Sequence, residues 1–163
     1  MPYSRLLSIA VVLGLAALFF VPRLPDDAGK DLVAAVREHA GGTRKGALIT
    51  ASRIHVYDGD TITVDGQRMR LLDIDTPEIS KPRCKAEAAR GYQARDRLRQ
   101  LVASAGTVEI VDSGDVDRYD RRLVWLMVDG EGVGRTLMSE GLAVEWRPGP
   151  DAWRERRRHW CGF

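Results

Sequence analysis

The stretch that decides the fold is RIHVYDGDTITVDGQRMRLLDIDTPE, residues 53–78. Apolar and polar residues alternate over 54–64 and again over 67–71, which is typical of half-buried β-strands. Between these runs stands Asp65-Gly66, a pair that tolerates the positive φ values of a two-residue hairpin turn. The stretch therefore predicts a β-hairpin with an acidic cluster at each end.

The pattern after residue 78 alternates between helix and strand. The predicted elements are a helix with a basic outer face over 87–104, strands over 107–112 and 123–128, a short helix over 133–140, a strand over 142–145, and a last basic helix capped by Asp151. Five short strands with one helix after the third do not fit a parallel doubly wound sheet, and they do fit a small barrel. The predicted class is mainly β with α (α+β), a five-stranded OB-fold β-barrel with about three helices, over residues 47–163.

The first 25 residues form a separate unit. An uncharged run of 16 residues, 6–21, follows Arg5 and is closed by Pro22-Arg23. It is longer than the apolar core of most signal peptides and shorter than a comfortable membrane span. Because no small-residue cleavage site follows, we favour a membrane anchor, with a cleaved signal peptide as the alternative. The protein is expected to be exported, either anchored in a bacterial-type inner membrane and facing the periplasm or secreted, with 26–46 as a linker that carries a short helix.

Charge and cysteine content limit the kinds of partner, disulfide and metal site that the chain can have. The 25 basic and 23 acidic residues nearly balance, so bulk charge does not identify a nucleic-acid partner. Two cysteines, Cys84 and Cys161, make neither a disulfide scaffold nor a zinc pattern, and any catalytic metal must therefore be held by oxygen. In an exported domain the two thiols either pair, which would add roughly 4 kcal/mol of stability, or stay free.

The predicted hairpin brings two acidic clusters, 58–61 and 73–78, into one region. Counting outward from the turn places Asp60 opposite Leu71, a few residues before Asp75. Crowded carboxylates are unfavourable unless they are protonated or bridged by a cation. A hard divalent cation held by oxygen ligands is one explanation, and ordinary acidic loop residues are the other.

Nearby arginines favour a bound cation over ordinary acidic loop residues. Arg70 lies on the strand that leads to Asp75, and the run 117–122 supplies further guanidinium groups before another strand. A guanidinium presents a planar fork that suits two phosphate oxygens, although most arginines in a chain this rich in them are solvated surface charges. A metal ion, two arginines and a carboxylate on one barrel would suit phosphodiester hydrolysis.

Three strings resemble the motifs of the staphylococcal nuclease (thermonuclease) family, in the same order. They are D-G-D-T at 58–61, R-L-L-D-I-D-T-P-E at 70–78 and D-R-Y-D-R-R-L at 117–123. The resemblance spans about 54–160. It implies an OB-fold endonuclease that uses calcium to cut DNA or RNA and leaves 3′-phosphate ends. The expected partner is a single-stranded nucleic acid, and the protein is expected to be a monomer.

The resemblance also implies a role for nine residues. The calcium ligands are Asp60, Asp75 and the backbone carbonyl of Thr76. The catalytic residues are Glu78, as the base that activates water, and Arg70 and Arg121, as the groups that neutralise the phosphate. The substrate-binding stretch is Asp117, Arg118 and Tyr119. Loss of any one catalytic side chain is expected to cripple cleavage and to leave the fold intact.

The chain departs from the family pattern at several points. The first hairpin is short, Asp120 replaces a glycine before the catalytic arginine, and Trp146 and Arg147 stand where loop tyrosines are expected. Asp73, near the metal ligands, is interpreted as a surface side chain. The basic segment 81–99 either tracks a phosphate backbone or is a solvated helix face.

A second class of function stays open. The same barrel, tethered to a membrane and catalytically weak or inactive, would bind nucleic acid or a protein partner without cutting. The intact set of Arg70, Glu78 and Arg121 favours the enzyme, because a binding module does not need a positioned base.

Overall fold

The computed structural model describes residues 46–162. The predicted anchor or signal peptide at 1–25 and almost all of the predicted linker lie outside these residues. Within the described range, no helix combines the length and the apolar character needed to cross a membrane.

Strands and helices occur in the predicted order, with more and shorter strands than expected. The strands are β1 (Ala47–Leu48), β2 (Ile54–Val56), β3 (Thr61–Val64), β4 (Gln67–Leu71), β5 (Ile74–Asp75), β6 (Val108–Val116), β7 (Arg122–Val128), β8 (Glu131–Gly132) and β9 (Val144–Glu145). The helices are α1 (Lys85–Ser104), α2 (Val133–Ser139) and α3 (Ala152–Cys161), with a 3-10 turn at Ala51–Arg53.

Seven of these strands form one curled mixed sheet. Its order is β1-β6-β7-β4-β3-β2, with β8 added to β7, and β4 and β7 run parallel while the other pairs are antiparallel. β5 and β9 make a separate two-stranded sheet. The path ends at β1 and β2, which are not paired with each other in the described range, so the barrel stays open. The predicted α+β fold of the OB type is confirmed, with a half-barrel in place of five closed strands.

The first hairpin has the predicted register. Asp65 and Gly66 adopt φ values of 49° and 84°, the left-handed conformations that the tight turn requires. Thr61 pairs with Arg70, which places Asp60 opposite Leu71, and the Leu71 N–H donates to the Asp60 carbonyl at 2.8 Å. The two acidic clusters therefore meet at one end of the hairpin.

The core lies between the concave side of the sheet and the helices. Ile62, Leu71 and Val124 point inward from the strands and meet Leu98 of α1 and Leu137 of α2, all almost fully buried. Burial of each such side chain stabilises the fold by about 1.5–3 kcal/mol. The sheet is therefore a rigid support for the loops at its edge.

Helix α1 begins at Lys85, two residues before the predicted start. Cys84 is the N-cap, and its sulfur accepts a hydrogen bond from the Glu87 N–H at 3.3 Å. Further along, Gly91 faces the loop after β5, where a Cβ would lie 2.6 Å from the Pro77 carbonyl oxygen. The missing side chain lets α1 pack directly on this loop, which carries Glu78.

The two cysteines are paired. Cys84 and Cys161 form a disulfide with a Cα–Cα distance of 6.0 Å, so the end of α3 is joined to the start of α1. Trp160 of α3 is buried against the rest of the domain. Asp151 occupies the predicted N-cap position of α3, but its side chain makes no capping bond and instead accepts from Arg154 at 3.1 Å.

A buried ion pair stands beside the disulfide. Glu87 is 0% exposed and accepts from the Arg83 backbone N–H at 2.5 Å and from Arg83 Nε at 2.9 Å. Burial raises the pKa of Glu87, but the hydrogen bonds and charge of Arg83 outweigh it and hold the pKa below its ordinary value. Glu87 therefore stays ionised inside the domain.

We expect Glu87→Gln to lower the free energy of unfolding by about 2–3 kcal/mol at pH 7, because a buried charge pair is broken. The control is Glu140→Gln in the more exposed Arg97–Glu140 pair, where we expect less than about 1 kcal/mol. Urea unfolding at pH 7 measures both. Since the folded pKa of Glu87 is lowered, its contribution is present above the ordinary glutamate pKa and lost as the pH falls through the folded value. Equal effects of the two substitutions would contradict the prediction.

Candidate active site

The two acidic clusters are joined through Asp60, at the start of β3. Its side chain is mostly buried, and Oδ2 accepts a hydrogen bond from the Thr76 N–H at 3.0 Å. Gly59 allows this approach, because a Cβ there would lie 2.8 Å from both the Thr76 Cγ2 atom and the Ala94 Cβ atom. The loop that carries D-G-D-T therefore packs directly against the loop that carries D-T-P-E.

Arg70 lies between the two predicted carboxylate ligands. Nη2 is 3.2 Å from Asp75 Oδ1 and 3.5 Å from Asp60 Oδ2, while Nη1 donates to the carbonyls of Leu71 and Ile74 at 2.5 and 3.1 Å. The side chain is only 13% exposed. Arg70 therefore contributes to the construction of the site as well as to its charge.

Burial and the charge of Asp60 raise the proton affinity of two neighbouring carboxylates. Burial and the neighbouring charge of Asp60 raise the pKa of Asp58 to about 6. Burial and Asp60 also raise the pKa of Asp75, against the opposing charges of Arg156, Arg70 and Arg83. An excess of negative charge collects around buried oxygen atoms, and a hard divalent cation would relieve it. The donor set of Asp60, Asp75 and Thr76 fits calcium, which prefers carboxylate and carbonyl oxygens.

Asp58 is a site residue to which the sequence analysis gave no role. Its Oδ1 accepts a hydrogen bond from the Asp60 N–H at 3.1 Å, and its pKa responds to the charge of Glu78 as well as that of Asp60. It therefore lies beside the predicted metal ligand Asp60 and within reach of the charge of Glu78. Its position within the D-G-D-T string is the sequence feature that could have identified it as a site residue.

Glu78 lies on the exposed side of the loop. One carboxylate oxygen accepts from the Ser80 N–H at 2.9 Å and from Ser80 Oγ at 2.7 Å. Burial raises the pKa of Glu78, but these bonds and nearby backbone N–H groups outweigh it and lower the pKa below its ordinary value. The side chain is therefore an oriented carboxylate, the form that a base requires.

Arg121 reaches the same site from the loop before β7. Its Nη1 donates to Thr61 Oγ1 at 3.3 Å, and Thr61 in turn donates to Asp60 Oδ1 at 3.2 Å. Asp117 accepts from Arg121 Nε at 2.7 Å and from the Arg121 N–H at 3.0 Å. Asp117 therefore orients Arg121, and its contact with substrate stays a prediction.

Asp120 is compatible with this arrangement despite the glycine usual at its position. Its φ is 60°, so it keeps the left-handed conformation that glycine favours and that aspartate tolerates. Arg121 is still directed at Thr61. The departure from the family pattern therefore does not displace the predicted catalytic side chain.

Tyr119 and Arg118 extend the site outward. Tyr119 is 64% exposed, with the guanidinium carbons of Arg118 and Arg121 at 4.8 and 5.5 Å from its ring centre. This exposed ring beside two cations offers a surface for a nucleotide. Trp146 follows β9 and is about half exposed, and its backbone N–H donates to the Asp73 backbone carbonyl at 2.9 Å.

Asp73 is a surface side chain, as expected. Its carboxylate accepts a hydrogen bond from Trp125 Nε1 at 2.6 Å. This bond turns the carboxylate toward the outer side of β7. No contact with Asp60 or Asp75 is present among the described residues.

Much of the basic charge at 81–99 is already paired. Arg83 bonds to Glu87, Arg97 to Glu140, and both Arg95 and Arg99 to Asp96. The segment is therefore closer to a solvated, ion-paired helix face than to a phosphate track.

Arg156 is a second residue that the sequence analysis missed. It extends from α3, and its Nε lies 2.6 Å from Asp75 Oδ2, on the oxygen that Arg70 does not contact. The cysteine pair could have indicated that α3 packs near the loop of Glu78. Which arginine of the basic run 154–158 faces inward could not be read from the sequence.

A half-barrel that gathers carboxylates from two loops and two arginines at one edge has the arrangement predicted for a nuclease-like domain of the OB class. A family model described as staphylococcal nuclease homologue matches residues 68–157. The chain belongs to this family, and the resemblance carried by the three strings is confirmed.

Curated relatives agree with this assignment. The chain is 38% identical over 110 residues to endonuclease YncB of Bacillus subtilis and 34% identical over 94 residues to thermonuclease of Staphylococcus hyicus. These matches cover 64% and 55% of this chain and 51% and 55% of the relatives. The chain thus spans about half the length of these two relatives. It is also 29% identical over 161 residues to the succinoglycan biosynthesis protein ExoI of Rhizobium meliloti, across 82% of this chain and 78% of the relative.

Proposed function

We propose that this protein is a calcium-dependent endonuclease that hydrolyses phosphodiester bonds of single-stranded DNA or RNA and leaves 3′-phosphate ends. The observation that carries the proposal is the convergence of Asp60, Asp75 and Glu78 with Arg70 and Arg121 at one edge of the barrel. Membership of the staphylococcal nuclease family and the likeness to an endonuclease and a thermonuclease support it.

Calcium would be held by the carboxylates of Asp60 and Asp75 and the carbonyl of Thr76. Once bound, it supplies Lewis-acid polarisation of a phosphoryl oxygen and neutralises negative charge. The chain's own residues do the rest of the chemistry. Glu78, kept ionised by Ser80, accepts a proton from the attacking water, and Arg121, oriented by Asp117, donates hydrogen bonds to the phosphate oxygens as charge develops.

The guanidinium of Arg70 makes more contacts within the protein than the guanidinium of Arg121. It contacts two carboxylates and two carbonyls, whereas Arg121 has one carboxylate partner and one hydroxyl partner. We therefore assign the direct phosphate contact chiefly to Arg121. Arg70 acts on the phosphate through its charge and through the carboxylates that it positions.

Location is part of the proposal. The uncharged run 6–21 would export the domain or anchor it in the membrane, facing the periplasm. The disulfide supports an oxidising compartment, because such bonds rarely persist in a reducing cytosol. There it would act as a monomer on external or envelope-associated nucleic acid.

The test is incubation of the full chain with single-stranded DNA and single-stranded RNA, in calcium and in chelator, with Glu78→Gln as the inactive control. We expect fragments only in calcium, with 3′-phosphates that block extension until a phosphatase removes them. Binding without cleavage in calcium would instead support the tethered binding module. Equal cleavage by the Glu78→Gln protein would remove the base assignment.

A further inference from the structure

The outer face of α3 carries an aromatic ring within a group of cations. Trp153, Arg154, Arg157 and Arg158 line a shallow open depression together with the acidic Asp151 and Glu155. This lining carries three cations and two anions. Such a face is positive and has one large flat apolar group.

Trp153 is held in place but is not covered. Its ring is 50% exposed, with the guanidinium carbons of Arg83 and Arg157 at 5.9 and 5.7 Å from the ring centre. Arg83 Nη1 also donates to the Trp153 carbonyl at 3.1 Å, which fixes the backbone below the ring. An exposed aromatic ring flanked by cations is the arrangement on which nucleic-acid bases stack.

The charge on this face is less compensated than that on α1. Arg154 has only an exposed pair with Asp151, and Arg158 forms no ion pair with another described residue. On α1, by contrast, most arginines have carboxylate partners. Cations without firm partners are the ones that can take up phosphates of a bound strand.

A neighbouring side of the same helix contacts the candidate active site. Arg156 reaches Asp75, and Trp153 lies three residues earlier, which is about 4.5 Å along a helix axis and on an adjacent part of the helix surface. The ring of Trp153 and the side chain that contacts Asp75 therefore lie beside each other on one helix.

We propose that this face of α3, centred on Trp153, is an extended binding track for single-stranded nucleic acid. One base stacks on Trp153, and the adjoining phosphates pair with Arg154 and Arg158. The track rests on the proposed nuclease function and adds to it a preference for substrates longer than the few nucleotides that the active site itself holds.

The test compares a 20-nucleotide oligothymidylate with a trinucleotide, using the full chain. In chelator, where no cleavage is expected, Trp153→Ala raises the Kd for the fluorescent 20-mer by about 5- to 100-fold, the range for loss of one stacked base. Trp153→Phe restores most of the affinity. Arg154→Gln with Arg158→Gln weakens binding and reduces the slope of log K against log salt by about 1.4. In calcium, kcat/KM for the trinucleotide stays within about twofold for every variant.

The matched control is Arg135→Gln, since Arg135 is a highly exposed arginine on α2. We expect no change in 20-mer affinity, which separates the track from a general effect of charge. An unchanged Kd for Trp153→Ala, an equal loss with the trinucleotide, or a wild-type chain that does not bind the 20-mer would overturn the proposal. The proposal would also be overturned if Trp153→Ala lost binding to phosphatidylglycerol vesicles but kept its binding to the 20-mer. The face would then be a membrane-binding surface.

Failure of the track and failure of the nuclease proposal give different results. If the track exists but the protein is not a nuclease, the protein binds the 20-mer in a way that depends on Trp153 but cuts neither substrate in calcium. If the protein is a nuclease without the track, it cuts both substrates, and the α3 substitutions change neither binding nor cleavage.

Discussion

Replacement of Arg121 by glutamine is expected to lower kcat on single-stranded DNA by about 10²- to 10³-fold, the usual effect of removing one preoriented charge donor. Asp117 fixes the side chain through Nε at 2.7 Å and Nη2 at 2.6 Å, which leaves Nη1 directed at Thr61 beside the predicted metal ligand Asp60. The guanidinium needs no rearrangement when charge develops on the phosphate. Arg121→Lys should recover only part of the rate, because an ammonium group cannot reproduce the two-pronged donor.

The next residue provides the control. Arg122 also carries a guanidinium, but it pairs with Asp112 of β6 and is 42% exposed. Arg122→Gln should leave kcat within about threefold of the wild type, and both substitutions should change the free energy of unfolding by about 1 kcal/mol or less. Steady-state cleavage and urea unfolding measure these effects. Equal losses of activity in the two variants would show that position 121 has no special relation to the phosphate.

The register of the first hairpin could be predicted because two local rules agree. A two-residue turn at Asp65-Gly66 fixes which residues face each other, and the side-chain period of two fixes which of them point inward. Together these rules predict from the sequence alone that Asp60 lies near Asp75. The distance between the two motifs along the chain was short enough for local reasoning to hold.

Contacts over longer distances could not be predicted in the same way. Arg156 lies in a basic run whose inward residue depends on how α3 is rotated by the disulfide and by burial of Trp160. No pattern within the run distinguishes Arg156 from its neighbours.

Arg70 changes one expectation outright. From the sequence, loss of this arginine was expected to spare the fold. In the structure its side chain is 13% exposed and lies against Asp60 and Asp75, so removing it would leave Asp60 with no ion-pair partner among the described residues and Asp75 with Arg156 alone. A loss of activity in Arg70→Ala would therefore mix catalysis with stability, which makes Arg121 the cleaner probe of phosphate contact.

The disulfide has the largest expected effect on stability. Replacement of Cys84 and Cys161 by serine should lower the free energy of unfolding by about 4 kcal/mol, because the bridge closes a loop with a sequence separation of 77. Urea unfolding of the wild type with and without reductant measures the same quantity. Reductant should leave the double-serine variant unchanged, which shows that it acts through this bond.

The loss should not be uniform over the domain. Helix α3 is joined to α1 by this bond and otherwise by the burial of Ala152 and Trp160 and by contacts of Arg83 and Arg156. In the double-serine variant, hydrogen exchange should therefore quicken first in α3, while the β3–β4 hairpin keeps its protection until global unfolding. If exchange rises equally in the hairpin, or if reductant leaves the wild-type midpoint unchanged, the disulfide does not hold α3 against the candidate active site. Arg156 and Trp153 would then depend on packing alone for their positions.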